Sequence, residues 1–190
     1  MSRFAALLLA SSITLMAQPR YTGDGQLMLP SDYREWVFVS SGLGMTYDSP
    51  NAPGMQMKPS FTNVFVNPAA YRSFLATGKW PDKTMLLLEV RASSSKGSIN
   101  QGGSYQSDVV AIEGEVKDGA KFPGNGWAFF AFGKSNTGKM LARTQDCYSC
   151  HLQHGAVDNT FVQFYPVLLE IAKIKSTLTP AFVHESAGQR

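Results

Sequence analysis

Charge is scarce in this chain of 190 residues: Asp, Glu, Lys and Arg together make up 16%, against roughly a quarter in an ordinary soluble domain. A highly charged, disordered chain is thereby excluded. The formal balance is only +3 and no two Lys or Arg residues are adjacent, so the basic stripe of a nucleic-acid binder is missing. Cysteine is scarcer still, with two residues, too few for a disulfide-built scaffold. Past the N-terminus no apolar stretch reaches the ~18 residues of a membrane-spanning helix. What is present is an apolar share of 44%, enough to form a core. The length suits one compact domain or two very small ones.

Met1-Ser2-Arg3 is a short basic start, and Phe4 to Met16 carries no charge. Ala17 then offers a small residue before Gln18-Pro19. This is the pattern of a secretory signal peptide over residues 1–17, although Leu15 is larger than the residue usual at that position. The alternative is a buried N-terminal helix, which an apolar block typical of a signal core fits less well. The segment does not end on a cysteine, so no lipid anchor is indicated. Residues 18–190 then form one domain, free of the membrane after cleavage. Its expected location is an oxidising compartment, a bacterial periplasm.

Strand signals occur at Glu35 to Val39, Phe61 to Val66, Thr84 to Arg91, Tyr105 to Val116 and Trp127 to Phe132, each rich in β-branched or aromatic residues. Met85-Leu86-Leu87-Leu88 is apolar at every position, which predicts burial on both faces. Residues 41–60 are rich in Gly and Pro and predict a long loop. Asn67-Pro68 predicts a helix start and Gly78 its stop. Phe161, Phe164, Leu168, Ile171 and Ile174 recur at helical steps within 159–175, and Pro166 kinks that helix or marks its true start. The expected fold is α+β, a mainly antiparallel sheet of about five strands with two or more helices on one side.

Cys147-Tyr148-Ser149-Cys150-His151 is the C-x-x-C-H pattern of covalent haem attachment. Two thiols three residues apart can reach the two vinyl groups on one edge of a haem. The next residue then lies under the ring, where its imidazole can bind iron. The rival readings are a redox dithiol and half of a zinc site. No βαβ context precedes the motif, and no second C-x-x-C exists to complete a zinc set. The expected cofactor is one haem c, held by Cys147 and Cys150 with His151 as axial ligand.

An electron-transfer cytochrome commonly adds a Met or a second His to the iron. No methionine follows His151. His154 is held on the proximal side by the chain itself, and His184 sits in a polar tail. Met85 belongs to a buried strand. Met45, Met55 and Met57 remain possible ligands, with loop packing as the plainer reading. The economical expectation is a five-coordinate or weakly capped iron. The motif also comes late, after a strand-rich region, unlike the all-helical cytochromes c.

Leu29-Pro30 with Tyr33-Arg34-Glu35-Trp36-Val37, then Val64-Phe65-Val66-Asn67-Pro68 with Tyr71, then Asn125-Gly126-Trp127-Ala128-Phe129, the haem motif and Phe164-Tyr165-Pro166-Val167-Leu168 together resemble the cytochrome P-460 family, which includes the β-type cytochromes c-prime. The resemblance implies a largely antiparallel sheet, a homodimer, a periplasmic location and His151 as proximal ligand. It also implies one of two activities. Some members oxidise hydroxylamine and carry a lysine joined covalently to the haem; others lack that link and bind nitric oxide in an apolar distal pocket. The lysine position falls at Leu88, with Lys83 the nearest lysine, and a distal arginine position falls at Thr62. Leu and Thr cannot replace a cationic or covalent group, which predicts a drier, less charged distal face. The expected function is nitric oxide binding, with Phe61, Thr62 and Leu88 as distal candidates. Hydroxylamine oxidation and simple electron transfer to a redox partner protein are the alternatives.

Overall fold

A computed structural model of the chain describes residues 18–46 and 59–188. The expected signal peptide, Met55 and Met57 lie outside those residues. The described part is α+β. Seven strands, β1 (Leu27–Met28), β2 (Val37–Leu43), β3 (Phe61–Val66), β4 (Met85–Ser94), β5 (Tyr105–Lys117), β6 (Trp127–Gly133) and β7 (Thr137–Met140), form one sheet in the order β1-β7-β6-β5-β4-β3-β2. Every pairing in it is antiparallel. Four α-helices accompany it: α1 (Pro68–Thr77), α2 (Asp146–His154), α3 (Pro166–Ile174) and α4 (Pro180–Gly188).

The five expected strands are present with shifted ends. β2 begins at Val37 because Tyr33–Glu35 form a 3-10 turn that uses up the start of the expected strand. It then runs through Gly42 to Leu43, into the expected loop, because pairing with β3 continues that far. β1 and β7 were not expected. Both are short, and their sequences lack the apolar alternation that marks a half-buried strand. The helix expected over 159–175 starts only at Pro166, whose fixed φ and missing N–H suit the first helical position.

Asn67 precedes α1 as expected, but its side chain does not cap the helix. It accepts from the Met85 N–H at 2.9 Å and donates to the Lys83 carbonyl at 3.2 Å, tying the helix start to the sheet. Gly78 ends α1 at φ 71°, a left-handed conformation a side chain would resist, and its N–H closes on the Phe74 carbonyl at 2.7 Å.

Alternation of side chains divides the sheet into two faces. Met85, Leu87 and Val116 turn to one, where Tyr33, Trp36 and Phe122 cover them and Leu27 of β1 packs in. Val66, Leu86 and Trp127 turn to the other, where Phe74 of α1 and Leu168 and Ala172 of α3 close a second cluster. The predicted burial of β4 on both faces holds for Met85, Leu86 and Leu87, each at most 1% exposed. Leu88 is only half-buried, because the helix face opens beside it into a cavity.

Candidate functional site

The C-x-x-C-H motif forms α2 itself. At 3.6 residues per turn, positions 147, 150 and 151 share one face, and all three side chains line a single cavity of about 390 Å³. Asp146 in the first turn favours the helix start electrostatically. Tyr148, inside the motif, anchors the helix to the sheet. Its ring meets Phe129 edge-on at 4.7 Å, its hydroxyl accepts from the Phe129 N–H and donates to the Leu141 carbonyl, both at 3.3 Å. At the other end the Gly155 N–H donates to the His151 carbonyl at 3.0 Å. A Cβ at Gly155 would lie 2.6 Å from that carbonyl oxygen and 2.9 Å from the Asn159 backbone, so the close approach of the following turn requires glycine there.

That turn fixes the histidine. His151 Nδ1 lies 2.8 Å from the Asn159 carbonyl. A carbonyl only accepts, so Nδ1 carries the proton and Nε2 keeps its lone pair for a metal. Phe129 and Phe161 flank the ring at 4.6 and 4.1 Å between centroids. Burial lowers the pKa of the imidazole, so it is neutral, the form that ligates. Burial raises both thiols above their ordinary range. This is the reverse of a redox dithiol, whose attacking cysteine is held low to form thiolate.

The sheet supplies the rest of the cavity wall. Thr62 of β3 and Leu88 of β4 line it. Phe61 does not line it. It stands one position from Thr62 on β3, and a step of one along a strand turns the side chain to the opposite face. Lys83 is also elsewhere: it sits before β4 and pairs with Asp118. Among the described residues no lysine lines the cavity. Met45 does line it, while Met85 belongs to the core on the other face. His154 pairs with Glu185 at 3.1 Å, and His184 is exposed on α4.

Two residues escaped the sequence reading, Glu113 and Glu115 of β5, which line the same cavity. They alternate with Ile112, Gly114 and Val116, so they read as the solvent side of a half-buried strand. That side is instead the helix face. Burial raises the Glu113 carboxyl. Burial, and then the charge of Asp158, pushes Glu115 up to about 8. Its Oε2 is buried without a hydrogen-bond partner, 3.5 Å from His151 Nδ1, too long for a strong bond. Beside its apolar residues the wall thus holds two carboxyl groups, held toward their neutral forms by burial.

The family model for cytochrome P460 matches residues 30–162, which hold β2 to β7, α1 and the whole of α2. The chain belongs to the cytochrome P460 family. No curated protein matches it. Membership makes it a haem-binding cytochrome, and the residues of this P460 family chain fit that group. One helix face presents two thiols and an imidazole whose Nδ1 is already engaged, and the wall opposite the helix is largely apolar. Cys147, Cys150 and His151 are the residues that would hold a haem.

Proposed function

We propose that this P460 family protein is an exported mono-haem c cytochrome that binds nitric oxide or a similar small ligand at its iron. The observation that carries the reading is the shared cavity: Cys147, Cys150 and His151 line it together with Leu88 and Thr62, and among the described residues no lysine does. Thioether links from Cys147 and Cys150 would fix one haem to α2. When bound, the haem supplies the iron at which a small ligand coordinates.

The chain's own residues do the rest. The Asn159 carbonyl holds the His151 proton at Nδ1, so Nε2 would be the atom that holds the iron. Leu88, Val64 and Phe129 give the cavity apolar walls, which suit a neutral diatomic molecule and give an anion little stabilisation. Glu113 can hold a proton beside such a ligand, and the Thr62 hydroxyl can donate to it. The basic start, apolar block and Ala17 support export to the periplasm, in line with a cytochrome whose haem is attached outside the cytoplasm. No described helix is long and apolar enough to cross a membrane. The reading includes a homodimer and a redox partner protein.

Glu113 favours a second reading, oxidation of hydroxylamine. Opposite Leu88 across β4 and β5, its carboxylate could take protons from an N–H or O–H group. Met45 in the wall favours a third, electron transfer with a thioether sixth ligand. One spectrum separates them. The purified protein should give the pyridine haemochrome of haem c, and its ferrous form should be high-spin and take up carbon monoxide and nitric oxide. A colourless protein, or a low-spin ferrous form indifferent to carbon monoxide, overturns the first reading. Turnover of hydroxylamine with an artificial electron acceptor favours the second.

A further inference from the structure

The segment that follows α2 is a tight turn from Val157 to Thr160. The Thr160 N–H donates to the Val157 carbonyl at 2.9 Å, and the reverse bond closes at 3.4 Å. Its central residues, Asp158 and Asn159, stand at φ 49° and 63°, the pattern of a type I′ turn. Only glycine enters that region freely; Asp and Asn do so at some cost. Two such residues in succession persist only where their surroundings hold them.

The surroundings hold this turn from two sides. Trp80 Nε1 donates to Thr160 Oγ1 at 2.8 Å, and that hydroxyl donates to the Val157 carbonyl at 2.6 Å. From β5, Lys117 pairs with the Asp158 carboxylate and donates to the Trp80 carbonyl at 2.8 Å. The same ammonium lies 5.9 Å from the centre of the Trp127 ring. The second central residue of the turn is Asn159, whose carbonyl accepts from His151. Contacts therefore run without a break from the sheet, through Lys117, Asp158 and the Asn159 backbone, to the imidazole. Of these residues only His151 lines the cavity.

We infer that the Lys117–Asp158 ion pair is a positioning device for the axial imidazole, acting through the strained turn. The inference rests on the haem reading above, with His151 on the iron. The pair keeps Asn159 left-handed and so keeps its carbonyl on Nδ1–H. That bond fixes the ring orientation and strengthens the imidazole as a donor to iron, the usual work of a partner behind a ligating histidine. An isolated surface pair would hold little. This one is only 21% and 31% exposed at its two side chains, and Lys117 has a second partner in the Trp80 carbonyl.

The test uses the holoprotein, with the Fe(II)–His stretching band by resonance Raman and the reduction potential as readouts. Asn159→Val, whose branched side chain resists a left-handed backbone, and Lys117→Met should lower and broaden the band and raise the potential, because a weaker donor stabilises ferric iron less. Asn159→Gly, which keeps the conformation and the carbonyl, and Lys117→Arg, which keeps the charge, should retain the parent values. The inference is overturned if folded Lys117→Met keeps the parent's band and potential, or if Asn159→Gly shifts them as Asn159→Val does. The Lys117 pair of variants decides the matter even if Asn159→Val does not fold. The potential is readable whatever fills the sixth position. A parent that takes up no carbon monoxide therefore sinks the ligand-binding function and leaves this inference standing.

Discussion

Glu89 on β4 and Glu115 on β5 are both buried, on adjacent strands, and they face opposite sides of the same sheet. Glu89 is met by Tyr33, Arg34 and Arg91, all of which donate to its carboxylate. Burial alone would raise its pKa, but those hydrogen bonds and charges outweigh burial and hold it at about 2. Oε2 of Glu115 has no hydrogen-bond partner, and burial, with the nearby charge of Asp158, pushes the carboxyl to about 8. On the face under the N-terminal segment the protein itself answers the Glu89 carboxylate with three donors. The face under the helices is left open and electrostatically incomplete, with apolar walls and carboxyls short of partners. A buried carboxyl that is answered stays ionised, whereas one that is not is held toward neutrality, and such a shifted group marks a candidate functional site.

The contrast can be broken from either side. The largest effect belongs to the open face. His151→Ala should abolish the axial imidazole and change the ferrous spectrum outright; an unchanged spectrum would show that His151 is not the ligand. Next comes the closed face. Glu89→Gln should cost roughly 3 kcal/mol in urea unfolding, because it breaks a buried ion cluster, and should leave the spectrum of the folded protein as it was. Glu115→Gln, by contrast, should cost no more than about 1 kcal/mol, since Oε2 has no hydrogen bond to lose; equal losses from the two substitutions would erase the distinction drawn here.

The pH dependence sharpens the same point, with opposite signs. The folded pKa of Glu89 lies below its ordinary value of 4.5, so its contribution is present above about 4.5 and fades as pH falls toward about 2. The folded pKa of Glu115 lies above 4.5, so its contribution is present below about 4.5 and is lost as pH rises toward about 8. Thermal midpoints across pH 3 to 9 should therefore show Glu115→Gln gaining on the parent as pH rises, and Glu89→Gln converging on it in acid. The smallest effect is on ligand access. Leu88→Ala enlarges the cavity wall and should speed carbon monoxide binding a few-fold in flash photolysis; an unchanged rate would remove Leu88 from the ligand's path.

The motif and the sheet class were legible because their signals are local. The C-x-x-C-H spacing places three side chains on one helical face by geometry alone, and Asn67-Pro68 and Gly78 mark helix ends by their own backbone preferences. Phe61 was misassigned because a strand's two faces differ by a single step, and apolar residues occur on both sides of β3. Glu113 and Glu115 were invisible for a related reason: alternation shows that two faces differ but not which one helices will cover. The turn at Asp158-Asn159 carries no apolar pattern, and its partner Lys117 lies 41 positions earlier. β1, β7 and α4 are held by contacts more than by composition.

One further consequence follows from the strand order. From β2 to β7 each strand lies beside its successor in the chain, so those pairings close shorter loops than the pairing of β1 does. β1 alone pairs far away, Leu27 against Gly138 and Met28 against Thr137. Closing so long a loop carries an entropic penalty that nearer contacts escape. The first strand in sequence is thus expected to be the last to dock, after the platform that seats the motif helix has already assembled.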